Sequence, residues 1–142
     1  MTAVQPIPVG APGYTTSLLC KPESAGTARR LVVASLSTWG LGDLADVGRL
    51  VVSELVSNSV RHTSCRLIKV SVRRMGVDRV RIGVTDKSCR LPELGAGNSG
   101  HEGGRGLLLV EVMADRWGYD KYRWGKTVWA ELVVVKDDEV TS

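Results

Sequence analysis

The sequence predicts an α+β fold, a two-layer sandwich in which helices cover one face of a mixed, mainly antiparallel sheet. Two segments, 66–74 and 79–86, alternate apolar and polar residues with a period of two, which is typical of half-buried strands. Two others, 23–39 and 44–62, carry apolar residues at helical spacing. Further strands and one short helix complete the two predicted layers.

The length and composition indicate one globular domain. The 142 residues are 43% hydrophobic and 24% charged, which lies in the range of domains that bury a core. Residues 1–13 are rich in Pro, Gly and Ala and predict a flexible N-terminal tail, and residues 136–142 predict a polar C-terminal tail. The domain itself is therefore expected to span residues 14–135.

Charge, cysteine content and hydropathy exclude several classes of protein. The net charge is only +4, and Lys and Arg are scattered, so no direct nucleic-acid interface is expected. Cys20, Cys65 and Cys89 are odd in number and lack CxxC spacing, which argues against a disulfide framework or a zinc site. No segment has the features of a signal peptide or a membrane span. We therefore expect a cytoplasmic protein without a membrane partner.

The first half of the domain is predicted to be mainly helical. Residues 14–20 form a strand, expected at a sheet edge, and residues 23–39 form an amphipathic helix that ends at Gly40. After a turn over residues 40–43, a central helix begins near Leu44, with Asp43 as its N-cap, and continues to about His62.

The central helix carries polar residues on the side that faces the core. Glu54, Asn58 and His62 follow one another at i, i+4 spacing, so they lie about one turn apart on one face. Val51 and Leu55 fall in the same arc. A buried polar group without a partner costs about 1–3 kcal/mol. These side chains therefore either bond one another and nearby backbone or line a cavity that holds a ligand.

The next two strands end in a carboxylate. Residues 66–74 and 79–86 form a hairpin around Gly76, and Val80, Ile82 and Val84 share one face of its second strand. The same period of two places Asp86 on the apolar side, at the end of the strand. A carboxylate in that position needs a hydrogen-bond donor.

The last third of the chain combines a long loop, a helix and a closing hairpin. Residues 87–105 are rich in glycine, and loops of this length in compact domains are usually functional or disordered. Residues 106–114 predict a short apolar helix. Residues 116–122 and 127–135 predict two strands joined by residues 123–126, with these side chains facing inward: Val128, Ala130, Leu132 and Val134.

Four segments in this order resemble the N, G1, G2 and G3 boxes of the GHKL ATPase and kinase superfamily. The closest branch in length is that of the anti-sigma factor serine/threonine kinases, and the resemblance implies a Bergerat-type, histidine kinase-like ATPase fold. It also implies ATP and Mg²⁺ as cofactors. The segments are Glu54-Leu55-Val56-Ser57-Asn58 with His62, Val84-Thr85-Asp86-Lys87-Ser88, Gly103-Gly104-Arg105-Gly106-Leu107, and Gly125-Lys126-Thr127.

The resemblance assigns roles to the polar residues of the central helix. Asn58 is implied to be the Mg²⁺ ligand, which suits a hard amide oxygen, and Glu54 the base that activates an attacking hydroxyl or water. His62 is implied to contact the nucleotide. The alternatives are a helix asparagine bonded to backbone or solvent, a salt-bridged glutamate and a hydrogen-bonded structural histidine.

The resemblance also implies how the base and the phosphates are bound. Asp86 accepts hydrogen bonds only, which suits the exocyclic amine of adenine, and family members often add a threonine that Thr127 matches. The alternative for Asp86 is the cap of a turn at Ser88. Gly104, Arg105, Gly106 and Leu107 precede a helix whose N-terminal N–H groups suit phosphate oxygens.

Two departures from the family pattern affect the loop over residues 87–104, which we call the lid. Ser88 stands where many relatives have glycine after Asp-x, and Leu108 stands where glycine is common. Both changes are expected to stiffen or reshape the lid. The chain also lacks the length for a phosphoacceptor-histidine helix and a sensor domain, so a complete sensor histidine kinase is not expected.

Three hypotheses for the function follow. The first is a regulatory kinase that transfers the γ-phosphoryl group of ATP to a Ser or Thr of an anti-sigma factor antagonist and also holds a sigma factor, with a homodimer as a further option. The second is a non-catalytic binding module whose bound ATP orders the lid for a partner. The third is an interaction domain without a ligand. Glu54 favours the first, because a pure binder needs no base.

Overall fold

The computed structural model describes residues 5–6, 12–62, 66–88 and 102–135, with the backbone alone for residues 5–6 and 102–106. In chain order its elements are β1 (Gln5–Pro6), β2 (Gly13–Leu19), α1 (Ser24–Thr38), a 3-10 turn (Gly42–Leu44), α2 (Ala45–His62), β3 (Leu67–Arg74), β4 (Arg79–Asp86), α3 (Glu102–Met113), β5 (Arg116–Tyr122) and β6 (Gly125–Val133).

The strands form one sheet, and the predicted α+β fold is confirmed. The strand order is β1-β2-β3-β4-β6-β5, and the two-residue β1 pairs only with Tyr14 and Thr15 of β2. Every pairing among the described strands is antiparallel, and the sequence predicts a mixed, mainly antiparallel sheet. The arrangement follows from the chain order, because β3 and β4 form one hairpin, β5 and β6 another, and β6 then pairs with β4.

The core lies between the sheet and the helices. Alternate residues of the three central strands β3, β4 and β6 point toward the helices and are buried, as the period of two predicts. Gly48 of α2 lets α1 approach closely, since a Cβ there would meet Val32 Cγ1 at 2.9 Å. The buried hydrophobic residues of the three strands are Ile68, Val70, Val72, Val80, Ile82, Val84, Val128, Ala130 and Leu132.

Several observed boundaries of helices and strands differ from the predicted ones. The N-terminal tail contains β1 and the first residue of β2. Asp43 lies inside the 3-10 turn, so it does not stand directly before α2 as an N-cap. Helix α3 begins at Glu102, which places Gly103, Gly104 and Gly106 inside the helix. Strand β6 begins at Gly125, so the hairpin turn contains only residues 123 and 124.

The face of the sheet opposite the helices carries an ionic cluster around Glu131. This side chain is 1% exposed and lies opposite Arg81 of β4 and Arg116 of β5. Its carboxylate accepts hydrogen bonds from Arg79 Nη1 at 2.7 Å, Arg81 Nη2 at 2.6 Å and Arg116 Nε at 2.9 Å. Burial raises the pKa of the carboxyl, but hydrogen bonds from the three guanidinium groups outweigh this and lower the pKa to about 2. Glu131 thus joins three adjacent strands.

Within the described part of the chain, no helix combines the length and the apolar character needed to cross a membrane.

Candidate functional site

The candidate site lies where the end of β4 meets α2 and the start of β6. Asp86 is the last residue of β4, faces the helices as predicted and is 1% exposed. Its carboxylate accepts hydrogen bonds from Ser59 Oγ of α2 at 2.7 Å and from the Ser88 backbone N–H at 2.9 Å. The Ser88 bond is the turn that the structural alternative predicts. The Ser59 bond ties the carboxylate to the central helix.

The carboxylate also binds a buried lysine. Lys126 Nζ lies 3.0 Å and 3.2 Å from the two oxygens of Asp86, and both side chains are fully buried. The two residues are direct partners in the register of β4 and β6. Lys126 is not among the predicted nucleotide contacts, because residues 123–126 are predicted to form a turn. Extending the inward row of Val128 and Ala130 backward by two residues would have found it.

Thr127 lies on the opposite face of the sheet from Asp86. Its Oγ1 shares a hydrogen bond with Thr85 Oγ1 at 2.7 Å and accepts one from Tyr122 Oη at 3.0 Å. Thr127 therefore does not share the face of Asp86, because adjacent residues of a strand point to opposite faces, and its contact with the nucleotide stays a prediction. Lys126 is the residue of β6 that contacts Asp86.

Gly125 allows the two strands to meet closely at the site. A Cβ on Gly125 would lie 2.1 Å from the Asp86 carbonyl oxygen and 2.8 Å from the Lys87 Cα, both backbone atoms. Backbone atoms cannot rotate away as a flexible side chain can. The glycine is thus required for the approach that brings Lys126 opposite Asp86.

We expect Gly125→Ala to destabilise the protein by at least the 1–3 kcal/mol typical of about one added methyl group in a packed core. Gly83→Ala is the matched control, since its Cβ would meet only the Ser71 Oγ at 3.2 Å and the Thr127 Cγ2 at 3.3 Å as nearest atoms. Chemical denaturation of both variants measures the difference. Equal stability of the two variants would contradict the close approach.

Asn58 and Glu54 lie on α2 one turn apart, at an expected Cβ separation of roughly 5–6 Å. Asn58 is 1% exposed, and its Nδ2 is buried without a hydrogen-bond partner in the part of the chain that the structure describes. Glu54 is half-buried and makes no hydrogen bond or ion pair to the described residues. His62 is half-buried at the last position of α2, and its role stays a prediction. The neighbouring Ser59 connects this helix face to Asp86.

The glycine-rich segment forms the first turns of α3. Gly104, Arg105 and Gly106 lie within the helix, not before it, and Leu107 is 1% exposed and packs in the core. The first four N–H groups of a helix have no partner within it, and they carry partial positive charge. Helix α3 packs against α2, which carries Asn58 and Glu54. Most of the predicted lid, residues 89–101, lies outside the described residues.

The residues present fit a magnesium nucleotide. No group of three or more His, Cys, Asp or Glu side chains that could hold a metal occurs within the described ranges. Mg²⁺ usually keeps several waters and takes oxygen ligands from substrate phosphates, so a single protein oxygen is sufficient. Asn58 offers this oxygen. Its Nδ2 has no hydrogen-bond partner among the described residues, so a 180° rotation of the side-chain amide can exchange the positions of nitrogen and oxygen. The N-terminus of α3 offers N–H groups to phosphates.

Comparison with known proteins identifies the family. A solved structure, the histidine kinase domain of a blue-light activated histidine kinase from Erythrobacter litoralis EL346, matches with a TM-score of 0.47 and 22% identity. The match covers 77% of this chain and 60% of that chain, so this chain spans less than two thirds of its length. No curated protein matches significantly. The family model described as the histidine kinase-like ATPase domain matches residues 19–132, well over half of the sequence. The chain therefore belongs to the histidine kinase-like ATPase domain family.

Proposed function

We propose that this protein is a regulatory kinase that transfers the γ-phosphoryl group of ATP to a Ser or Thr of an anti-sigma factor antagonist. Domains of its family bind ATP, generally with Mg²⁺. The proposed kinase activity rests on the similarity of the four sequence boxes to those of anti-sigma factor kinases. It also rests on the lack of a partner for the Glu54 carboxylate among the described residues. A sigma factor is the second proposed partner, bound in a nucleotide-dependent manner.

The observation that carries the proposal is that the carboxylate of Glu54 has no hydrogen-bond or ion-pair partner among the described residues. A half-buried Glu normally pairs with a cation or a hydrogen-bond donor, because burial without a partner costs free energy. Glu54 has neither among the described residues, although Arg29 of α1 donates to the neighbouring Ser53. A carboxylate kept free at this position is available to accept a proton.

Each residue of the site has a separate task in this proposal. Glu54 accepts the proton of the attacking hydroxyl, and Asn58 holds the metal through its amide oxygen. The N–H groups of the first turn of α3 donate to phosphate oxygens. Asp86 accepts from the amino group of the base. When bound, ATP and Mg²⁺ supply the phosphoryl group and the neutralising charge.

A second candidate is the ATP-gated binding module without transfer. Helix α3 favours it, because Leu108, Leu109 and Val112 of this helix are 43%, 41% and 79% exposed. These residues directly follow the glycine turn that would bind phosphate, so a nucleotide at the N-terminus of α3 would also position this apolar face for a partner.

Transfer of radiolabelled γ-phosphate to candidate antagonist proteins encoded by the same genome tests the kinase directly. Label on a Ser or Thr of one antagonist, absent when Mg²⁺ is chelated, is the expected result. ATP binding without transfer to any candidate would leave the binding module as the function.

We expect ATP to bind better than GTP by roughly 10- to 150-fold, which is the effect of losing a hydrogen bond to a charged group. The reason is that the carboxylate of Asp86 accepts from the 6-amino group of adenine and repels the 6-oxygen of guanine. Titration calorimetry in the presence of Mg²⁺ measures both affinities. Equal affinity for the two nucleotides would rule out base recognition by Asp86.

A further inference from the structure

The carboxylate of Asp86 has no free position for another donor. An ionised carboxylate offers about four acceptor sites. Lys126 Nζ contacts both oxygens, Ser59 Oγ contacts Oδ2 and the Ser88 N–H contacts Oδ1. A base that donates to Asp86 must therefore replace one of these bonds. The bond to be replaced determines how the base is recognised.

Lys126 is the donor that can give up one hydrogen bond to Asp86 and still stay bonded to its carboxylate. Ser59 and the Ser88 backbone each contribute a single hydrogen bond, whereas an ammonium group has three N–H bonds and uses two on Asp86. The ammonium can keep one bond to the carboxylate and turn another toward a ligand. Its position next to Asp86 in the register of β4 and β6 holds the two groups side by side.

A lysine at this position is not explained by packing. The other inward residues of β6 are Val128, Ala130 and Leu132, all buried and apolar. Burying an ion pair removes two charges from water, and its replacement by apolar residues is often neutral or stabilising. The fully buried pair therefore contributes little to stability that an apolar pair would not also provide, which points to a role in binding.

We propose that Lys126 is a second specificity-determining residue, whose ammonium donates to the ring nitrogen N1 of adenine while Asp86 accepts from the adjacent 6-amino group. This inference rests on the proposed binding of ATP at the site. N1 is an acceptor and the 6-amino group is a donor, so the two atoms match the neighbouring ammonium and carboxylate. Guanine presents a donor at N1 and an acceptor at position 6, which reverses both contacts.

The number of hydrogen bonds balances in this exchange. Before binding, Lys126 donates two bonds to Asp86. After binding, Lys126 donates one bond to Asp86 and one to N1, and the 6-amino group donates to the acceptor site that Lys126 has left. The carboxylate remains fully bonded and keeps its cation, so neither charge is left unpaired.

The first test changes only the ligand. We expect 1-deaza-ATP, in which a C–H group replaces N1, to bind the wild-type protein roughly 10- to 150-fold more weakly than ATP, the loss typical of a hydrogen bond from a charged donor. Calorimetry with Mg²⁺ measures both affinities, and no substitution can perturb the fold. Equal binding of the two ligands would overturn the proposal.

The second test repeats both titrations with Lys126→Met, which keeps an unbranched apolar side chain that reaches to Cε and removes the ammonium. The preference for ATP over 1-deaza-ATP should fall to within about threefold, and any effect common to both ligands cancels in the ratio. Lys69→Met is the matched control, because Lys69 is exposed on β3, and it should keep the wild-type preference. A thermal melt of each variant confirms that it is folded.

Other outcomes separate this inference from the proposed function. A preference that persists in Lys126→Met would show that another group contacts N1, and tighter ATP binding by that variant would show that Lys126 competes with the base. Either result overturns the role of Lys126 but leaves ATP binding intact. Failure of the wild-type protein to bind ATP would instead overturn the proposed function together with this inference.

Discussion

If the protein is the proposed kinase, we expect replacing Glu54 by Gln to lower phosphoryl transfer by roughly 10²- to 10⁴-fold, the usual effect of removing a general base. The change keeps the shape of the side chain, removes its negative charge and leaves an amide that cannot act as a base. Glu54 has no partner among the described residues whose loss would disturb the fold. Binding of ATP should stay within a few-fold of the wild-type value, measured by calorimetry beside the radiolabelled transfer assay.

Two further variants give this experiment its controls. Glu23→Gln makes the same chemical change at the exposed N-cap of α1, where the side chain makes no capping bond, and should leave transfer unchanged. Asn58→Ala should instead weaken Mg²⁺-dependent binding itself. If Glu54→Gln transfers phosphate as fast as the wild type, Glu54 is not the base, and a melting curve distinguishes a true loss of transfer from unfolding.

Replacing Glu131 by Gln lowers the free energy of unfolding at pH 7 by about 3 kcal/mol. The pKa of this buried carboxyl falls from its ordinary 4.5 to about 2 in the folded protein, and each unit corresponds to about 1.4 kcal/mol. Because the folded pKa is lower, the unfolded chain binds the proton more tightly. The stabilisation is therefore complete above pH 4.5 and is lost as the pH falls toward about 2.

Urea denaturation between pH 7 and pH 2.5 measures this effect. The wild type should lose stability in the lower part of the range, and the difference between Glu131→Gln and the wild type should shrink there. Asp46→Asn removes an ion pair with Arg49 in which the carboxylate is 90% exposed, and it should cost no more than about 0.5 kcal/mol. A pH-independent difference for Glu131→Gln would mean that the arginine contacts do not control this carboxyl.

The strands and the two long helices follow closely from sequence patterns. The predicted segment 79–86 coincides with β4, because strict alternation ends in the turn-forming residues on either side. The first helix is predicted as 23–39 and observed as Ser24–Thr38. In both cases the periodic burial of apolar side chains dominates the local conformation, so the pattern and the structure agree.

The errors occur where tertiary contacts oppose local preference. Glycine disfavours helix by about 1 kcal/mol relative to alanine, so the segment after Glu102 suggests a loop, although the chain there continues α3. Gly125 and Lys126 likewise suggest a turn, but pairing with β4 draws them into β6. Pairing between distant strands does not depend on local residue preference, and so a single sequence does not reveal it.

The sequence predicts which face of its own strand a site residue occupies, but not which residue of the neighbouring strand lies opposite. Asp86 was placed correctly, since its position follows from the alternation of its own strand. The residue opposite it depends on the register between β4 and β6, and a shift of one residue exchanges the two faces. The predicted inward row of Val128 and Ala130 already implies that Lys126 shares the face of Asp86, and the structure adds that the two residues are direct partners.

Strand β6 carries two ionic groups, one on each face of the sheet. Lys126 contacts Asp86 beneath the helices, while Glu131 holds Arg81 and Arg116 on the other side of the sheet. The two ionic groups share no side chain. If Lys126 and Asp86 bind the base as proposed, substitutions that change the base preference there should leave the arginine contacts between the strands intact.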